Sequence, residues 1–200
     1  MTQIIISHDP YSDAVISNEV PVVDIEVKHA KLLVLDLDET LVHSGFSKPD
    51  NYDHEVIIRH KNTEYIIYVQ KRPGFDFFME NVIQQFDVCI FTASLAEYSI
   101  PVIKRILPSF PESNILTREH CIQIQRILVK DLSIFKRDFS NIIIVDNSPL
   151  SFQMNIENGI VVPAFVGDPT DDYLLNELLP YVQELDKCED VREKIGELFQ

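Results

Sequence analysis

Short apolar runs that each stop at a polar or charged residue, separated by segments of helical period, predict an α/β fold with a central, mostly parallel sheet flanked by helices. Three observations carry this reading. Residues 31–35 (KLLVL), 88–91 (VCIF) and 142–145 (IIIV) are too short for helices and almost wholly apolar, as strands buried on both faces are. Between such runs lie stretches like residues 74–86, where Phe75, Phe78, Val82, Ile83 and Phe86 recur at helical spacing. The size also fits: 200 residues, 46% hydrophobic and 24% charged, can bury one core without metal or disulfide support.

Taken in order, residues 1–30 show no strong period and read as an N-terminal arm with one strand near 20–27. The domain is expected over residues 31–187, starting with the strand 31–35. Val56-Ile57-Ile58 and Tyr65-Ile66-Ile67-Tyr68-Val69 flank the polar His60-Lys61-Asn62-Thr63, a β-hairpin signal over residues 55–70. Pro73 suits the first turn of the helix at 74–86. Strand 88–91 ends at Thr92, and a helix follows over 95–107, where Pro101 marks a kink or a second start. Residues 122–129 form a strand ending at Lys130, residues 142–145 one ending at Asp146, and residues 160–162 a short last one. Asp171 or Asp172 caps a helix through Leu185, with a break at Pro180. Asp190 caps a final helix to Phe199, so residues 188–200 form a C-terminal helix packed on or trailing the domain.

Composition narrows the function classes. Seventeen Lys and Arg against 32 Asp and Glu give a formal charge of −15, and a surface of that balance repels nucleic-acid backbones and anionic membranes. Residues 168–200 alone hold ten acids and three bases, most simply a solvated helix face. Cys89, Cys121 and Cys188 are far apart and lack CxxC spacing, which argues against a disulfide framework or zinc site and suits a reducing compartment. The five glycines form neither GxGxxG nor a P-loop, so a nucleotide-dependent oxidoreductase is excluded. No apolar stretch approaches 18 residues and the start has no signal-peptide pattern. A soluble intracellular protein, nuclear or cytoplasmic, is expected.

Four apolar runs end in groups able to do chemistry: Asp36 and Asp38, Thr92, Lys130, and Asp146 with Asn147. Open α/β sheets bind ligands at the carboxyl ends of their strands. Two carboxylates one residue apart at such an end repel each other unless a cation lies between them, and a hard divalent ion with oxygen ligands fits. Asp146 and Asn147 add oxygens suited to Mg²⁺. An EF-hand loop starting at Asp36 fails, because its sixth residue is Leu41 and its twelfth Ser47.

These residues stand in segments reading Leu35-Asp36-Leu37-Asp38-Glu39-Thr40-Leu41-Val42-His43-Ser44, Phe91-Thr92-Ala93-Ser94-Leu95-Ala96, Val129-Lys130-Asp131-Leu132-Ser133 and Val145-Asp146-Asn147-Ser148-Pro149. With Lys71-Arg72-Pro73-Gly74 and Arg118-Glu119-His120-Cys121, they resemble the haloacid dehalogenase superfamily. Within it they are similar to the small protein phosphatases related to those acting on the RNA polymerase II C-terminal domain. The resemblance covers about residues 31–185 in the right order. It implies the Rossmann-like fold of that superfamily, with the hairpin at 55–70 standing as a small β insertion in place of a large cap.

The resemblance also implies roles. Asp36 is the expected nucleophile, forming an aspartyl-phosphate, and Asp38 the general acid and base. Thr92 and Lys130 hold phosphoryl oxygens. Mg²⁺ is held by Asp36, the Asp38 carbonyl and Asn147, with Asp146 beside it. Thr40, Ser94, Leu95, Tyr98 and Arg118 are expected on the substrate side, although for Arg118 a surface ion pair near Glu119 carries nearly equal weight. Val56, Ile58, Ile66 and Leu95 are candidates to touch a substrate side chain, with core packing the alternative for each. The expected partner is a phosphoprotein with a serine- or threonine-phosphorylated tail or loop. A phosphopeptide-binding scaffold on the same fold and a small-molecule phosphatase are the competing readings. Ile100, Gly45 and Phe165-Val166 depart from the family's usual residues and leave substrate preference open, as is the oligomeric state.

Overall fold

The computed structural model describes residues 22–197. Ten strands run in chain order: β1 (Leu32–Leu35), β2 (Val42–Gly45), β3 (His54–His60), β4 (Thr63–Lys71), β5 (Asp87–Phe91), β6 (Ile115–Leu116), β7 (Ile122–Ile124), β8 (Ile127–Val129), β9 (Ile142–Asp146) and β10 (Gly159–Val161). The helices are α1 (Phe75–Gln85), α2 (Ala96–Ile106), α3 (Leu179–Leu185) and α4 (Val191–Gly196), with short 3₁₀ turns between several elements.

The central sheet has the order β10-β9-β1-β5-β6 and every pairing in it is parallel. The near-continuous apolar runs follow from burial on both sides. Successive side chains of a strand alternate faces, and β1 sends Leu33 and Leu35 into one core cluster and Leu32 and Val34 into the other. The first cluster takes Phe75, Phe78, Met79 and Val82 of α1, Val102 and Ile103 of α2, and Val182 and Ile195. The second takes Cys89, Phe91, Leu116, Cys121, Leu132 and Phe152. In sequence the chain steps from β1 to β5 and β6 on one side, then to β9 and β10 on the other. β1 therefore lies at the reversal of strand order, where a crevice opens at the carboxyl ends.

The hairpin expected at 55–70 is β3–β4, closed by the two-residue turn Lys61-Asn62 with φ of 46° and 63°. A third strand, β2, pairs with β4 and ties the hairpin to the segment after Asp36. Val56 and Ile58 point into the core, while Ile57 and Ile66 are exposed on the outer face. α1 is capped by Gly74 at φ 82°, so Pro73 precedes the helix rather than opening it. Met79 takes the buried place expected for Ile83, which faces solvent. α2 runs through Pro101 without a break.

One predicted strand is corrected. Residues 122–129 are two short antiparallel strands, β7 and β8, folded about Gln125-Arg126, and they lie outside the parallel sheet. Neither turn residue is Gly, Asn or Asp, so nothing local marks the reversal. The parallel strand on that side is β6, only two residues long. Pro180 does not interrupt its helix: the turns at residues 174–178 are of π type and run directly into α3, with Pro180 in its first turn. α4 is capped by Asp190, whose Oδ1 accepts the Arg192 N–H at 2.9 Å. The expected end at Phe199 lies outside the described residues, as does Val20 of the predicted first strand. Of the rest of that strand, Val23 makes a single bridge to Phe135. Residues 28 and 29 donate backbone N–H groups to the buried Asp87 carboxylate, which also pairs with Arg137, so this part of the arm is fastened to the amino end of the sheet.

Candidate active site

Asp36 and Asp38 follow β1, Thr92 follows β5 and Asp146 ends β9, so three neighbouring parallel strands deliver them to one edge. Lys130 arrives from the β7–β8 hairpin instead. These residues, with Ser94, Arg118 and Asn147, line one open cavity of about 430 Å³. The parallel register that sets Leu35 beside both Ile90 and Val145 fixes the spacing of the three strand ends.

Lys130 is the buried centre of the charge arrangement. Its Nζ donates to Asp36 Oδ1 at 2.5 Å and to Asp146 Oδ2 at 2.6 Å. Burial works against its charge, but the two carboxylates outweigh that and raise its pKa, so it stays an ammonium. Burial pushes the Asp36 carboxyl up to about 7 against the pull of Lys130, and the Asp146 charge adds to the rise. Asp146 Oδ1 accepts the Ser148 N–H at 2.8 Å, so both its oxygens are engaged. Asp36 spends one oxygen on Lys130, and its other has no donor among the described residues.

Asp38 sits differently, as acceptor for three hydroxyls. Ser94 Oγ donates to its Oδ2 at 2.7 Å, Thr92 Oγ1 more weakly at 3.4 Å, and the Tyr98 hydroxyl donates to Oδ1. Burial and the nearby Asp38 charge hold the Tyr98 phenol well above its usual pKa, so it remains a donor. Asp38 is thereby fixed between the cavity and a second groove of about 320 Å³ lined by Phe46, Ile58, Ser94, Leu95, Tyr98 and Arg118, among others.

The loop carrying the two acids is braced from several sides. Glu39 adopts φ 61°, its carbonyl accepts from Phe165 N at 2.7 Å, and its carboxylate bonds His43 Nδ1. The buried Arg72 guanidinium donates to the Thr40 and Pro163 carbonyls and grips Asp171 with two bonds of 2.7 and 2.8 Å.

Of the sequence-predicted residues, Asp36, Asp38, Thr92, Ser94, Arg118, Lys130, Asp146 and Asn147 meet at the cavity; Leu95 and Tyr98 line the adjoining groove. Thr40 does not reach either wall: it is fully buried and its hydroxyl has no hydrogen-bond partner. Arg118 is held by a 3₁₀ turn that Thr117 caps, and its Nε donates to Ala93 O at 2.8 Å. Glu119 takes the Thr117 hydroxyl. Arg126 and Ser151 also line the cavity and carried no signal in the sequence; Arg72 stood only as part of a family-like segment. The cysteines are free, and burial raises the Cys89 thiol and pushes that of Cys121 up to about 11, so neither is a nucleophile.

A hard cation suits this donor set, which is all oxygen: the Asp36 and Asp146 carboxylates and the Asn147 amide. No trio of His, Cys, Asp or Glu converges as a metal group among the described residues. Three acids, Asp36, Asp38 and Asp146, share the cavity with Lys130, which pairs with Asp36 and Asp146, so oxygen donors outnumber the buried ammonium there.

Residues 31–192 match the family described as NLI interacting factor-like phosphatase. The chain belongs to that family. It is 43% identical over 162 residues to a probable C-terminal domain small phosphatase of Dictyostelium discoideum, covering 81% of this chain and 53% of the relative. It is 41% identical over 166 residues to the human carboxy-terminal domain RNA polymerase II polypeptide A small phosphatase 2, covering 83% and 61%. The chain therefore spans about half to three-fifths of these relatives' lengths. A solved structure of Fcp1, an essential RNA polymerase II CTD phosphatase, shares the fold at a TM-score of 0.58 and 20% identity, covering 86% of this chain and 54% of that one. A fission yeast CTD phosphatase bound to beryllium fluoride superposes similarly, at 0.59 and 20% identity over 79% of this chain and 50% of the other.

Proposed function

We propose that this chain is a Mg²⁺-dependent phosphoprotein phosphatase that hydrolyses phosphoserine or phosphothreonine esters through an aspartyl-phosphate on Asp36. The observation that carries the reading is the meeting of Asp36, Asp38, Thr92, Lys130, Asp146 and Asn147 around one cavity from four separate parts of the chain. The phosphatase unit is proposed to span residues 31–187, with α4 packed on its core through Val191 and Ile195.

Asp36 attacks phosphorus in line while Asp38 gives its proton to the departing seryl or threonyl oxygen. Asp38, now a carboxylate, takes a proton from the water that attacks the acyl phosphate, releasing phosphate and restoring Asp36. The Lys130 ammonium and the Thr92 hydroxyl hold the non-bridging oxygens, and their positions are set before substrate arrives. Asp36, the Asp38 carbonyl and Asn147, with Asp146 alongside, are the residues to hold Mg²⁺, which when bound neutralises charge on the phosphoryl oxygens.

The β3–β4 hairpin leaves the site open, and the adjoining groove offers Phe46, Ile58, Leu95 and Tyr98 to a side chain beside the phosphoresidue. This supports an exposed phosphorylated tail or loop over a small metabolite, and the RNA polymerase II C-terminal domain falls in that class. Direct nucleic-acid or membrane binding is not part of the reading, and the protein is placed in the nucleus or cytoplasm. Among the described residues no helix is long and apolar enough to cross a membrane. The test compares kcat/KM on a phosphopeptide and on free phosphoserine. Flanking contacts should favour the peptide by roughly 10²–10³-fold. Parity would defeat the protein-phosphatase reading in favour of a small-molecule one.

A further inference from the structure

The turn between β7 and β8 places a long cation over the catalytic cavity in a conformation that its backbone disfavours. Gln125 and Arg126 have φ of 48° and 73°. A two-residue hairpin turn with both φ positive is the habitat of Asn-Gly and Gly-Gly, and a long side chain there is an unusual occupant. Backbone strain of this kind clusters at active sites and ligand clamps, and here it stands on the wall of the catalytic cavity.

The surroundings of Arg126 suggest what the task is. It is exposed, lines the same cavity as Asp36, Asp38 and Lys130, and has no hydrogen bond or ion pair among the described residues. Four other arginines of this acidic chain, Arg59, Arg72, Arg137 and Arg192, each sit on a carboxylate. Lys130 is already balanced by Asp36 and Asp146. In a protein of charge −15, an arginine left unpaired on the wall of the reaction cavity is not a by-product of general basicity. Its planar fork is matched to carboxylate and phosphate oxygens.

We propose that Arg126 binds a second anionic group of the substrate, a carboxylate or a phosphate on a residue near the one being dephosphorylated, and so selects segments with an acidic or phosphorylated neighbour. This rests on the phosphatase reading above. An extended chain advances about 3.3 Å per residue. Both groups must meet one cavity of about 430 Å³, which puts the second anion within about two or three residues of the first. The net negative field of the protein opposes acidic peptides at long range, so the selectivity is expressed at physiological salt, where the screening length is about 8 Å.

The experiment uses three peptides differing only beside one phosphoserine: neutral flanks, glutamate flanks, and a second phosphoserine. Affinity is read by fluorescence polarisation in EDTA and kcat/KM by phosphate release in Mg²⁺, with p-nitrophenyl phosphate as a separate check of turnover. Wild type should favour the anion-flanked peptides over the neutral one by about three- to tenfold. Arg126→Ala should bring that ratio to about one, and Arg126→Lys should keep part of it. Arg126→Gly relieves the turn, so it should melt at or above the wild-type temperature while losing the preference, which separates recognition from folding. A preference for the doubly phosphorylated peptide alone identifies phosphate as the partner, and an equal preference for glutamate identifies any anion. No preference in wild type, or a preference that survives Arg126→Ala, overturns the proposal. Failure to hydrolyse p-nitrophenyl phosphate or any peptide would instead overturn the phosphatase reading, and the polarisation ratio would still decide the role of Arg126.

Discussion

Replacing Lys130 by methionine removes one buried charge and strands two others. The Lys130 side chain is 1% exposed, and its Nζ lies 2.5 Å from Asp36 Oδ1 and 2.6 Å from Asp146 Oδ2. Methionine is similar in volume, so the loss is electrostatic and leaves little cavity. Removing one partner of a buried ion network costs about 3–5 kcal/mol. At about 2–4 °C per kcal/mol for a chain of this size, thermal unfolding in EDTA should move down by roughly 6–20 °C. The pH dependence has a definite sign. In the folded wild type the Asp36 carboxyl is raised from 3.8 to about 7, and without Lys130 it rises further. A raised carboxyl keeps its proton when folded and loses it when unfolded, so stability from this source is present below about pH 4 and is lost as pH rises through about 7. The deficit of the variant should therefore be smallest in acid and widen toward pH 8. Mg²⁺ restores positive charge beside Asp36, so it should raise the melting temperature of the variant by more than that of wild type. Circular-dichroism melts in EDTA and in Mg²⁺, at several pH values, measure all three effects. A shift under about 2 °C in EDTA, or a larger one indifferent to pH and Mg²⁺, would refute the view that Lys130 balances the two carboxylates.

Two further substitutions test the frame and the chemistry. Arg72→Ala leaves Asp171 and the Thr40 and Pro163 carbonyls without their donor, and should lower stability to urea by about 3–5 kcal/mol. Arg72→Lys should recover only part of this, because an ammonium cannot make the paired contact to Asp171; full recovery would show that charge alone matters there. Asp38→Asn removes the proton donor. Turnover of a phosphoserine peptide should fall by about 10²–10⁴-fold, while p-nitrophenyl phosphate, whose leaving group needs no proton, should lose much less. Equal losses on both substrates would remove Asp38 from the acid role.

How much of this was legible in the sequence depended on whether local chemistry marked each feature. The buried strands of the central sheet announced themselves because burial on both faces demands apolar residues at every position, as in β1, β5 and β9. The β3–β4 hairpin was marked by alternation around Lys61-Asn62. The β7–β8 reversal was hidden because Gln125-Arg126 carries no turn chemistry, so two short strands read as one run from Ile122. β6 was missed because two residues make no period. At the site, the acids and Lys130 were found by their place after apolar runs. Arg72 acts through a partner 99 residues away, Asp171, and no local pattern records such a contact. Thr40 shares a motif with Asp36 and Asp38, yet the loop turns its hydroxyl inward, a matter of backbone path that motif spacing does not specify.

The most direct test of the central claim is hydrolysis of p-nitrophenyl phosphate by the wild-type chain and by Asp36→Asn, each with Mg²⁺ and with EDTA. If Asp36 is the nucleophile of a Mg²⁺-dependent phosphatase, only the wild-type protein with Mg²⁺ should release nitrophenolate. Turnover that survives Asp36→Asn, or that proceeds undiminished in EDTA, would contradict the account, as would a wild-type protein inert under all conditions.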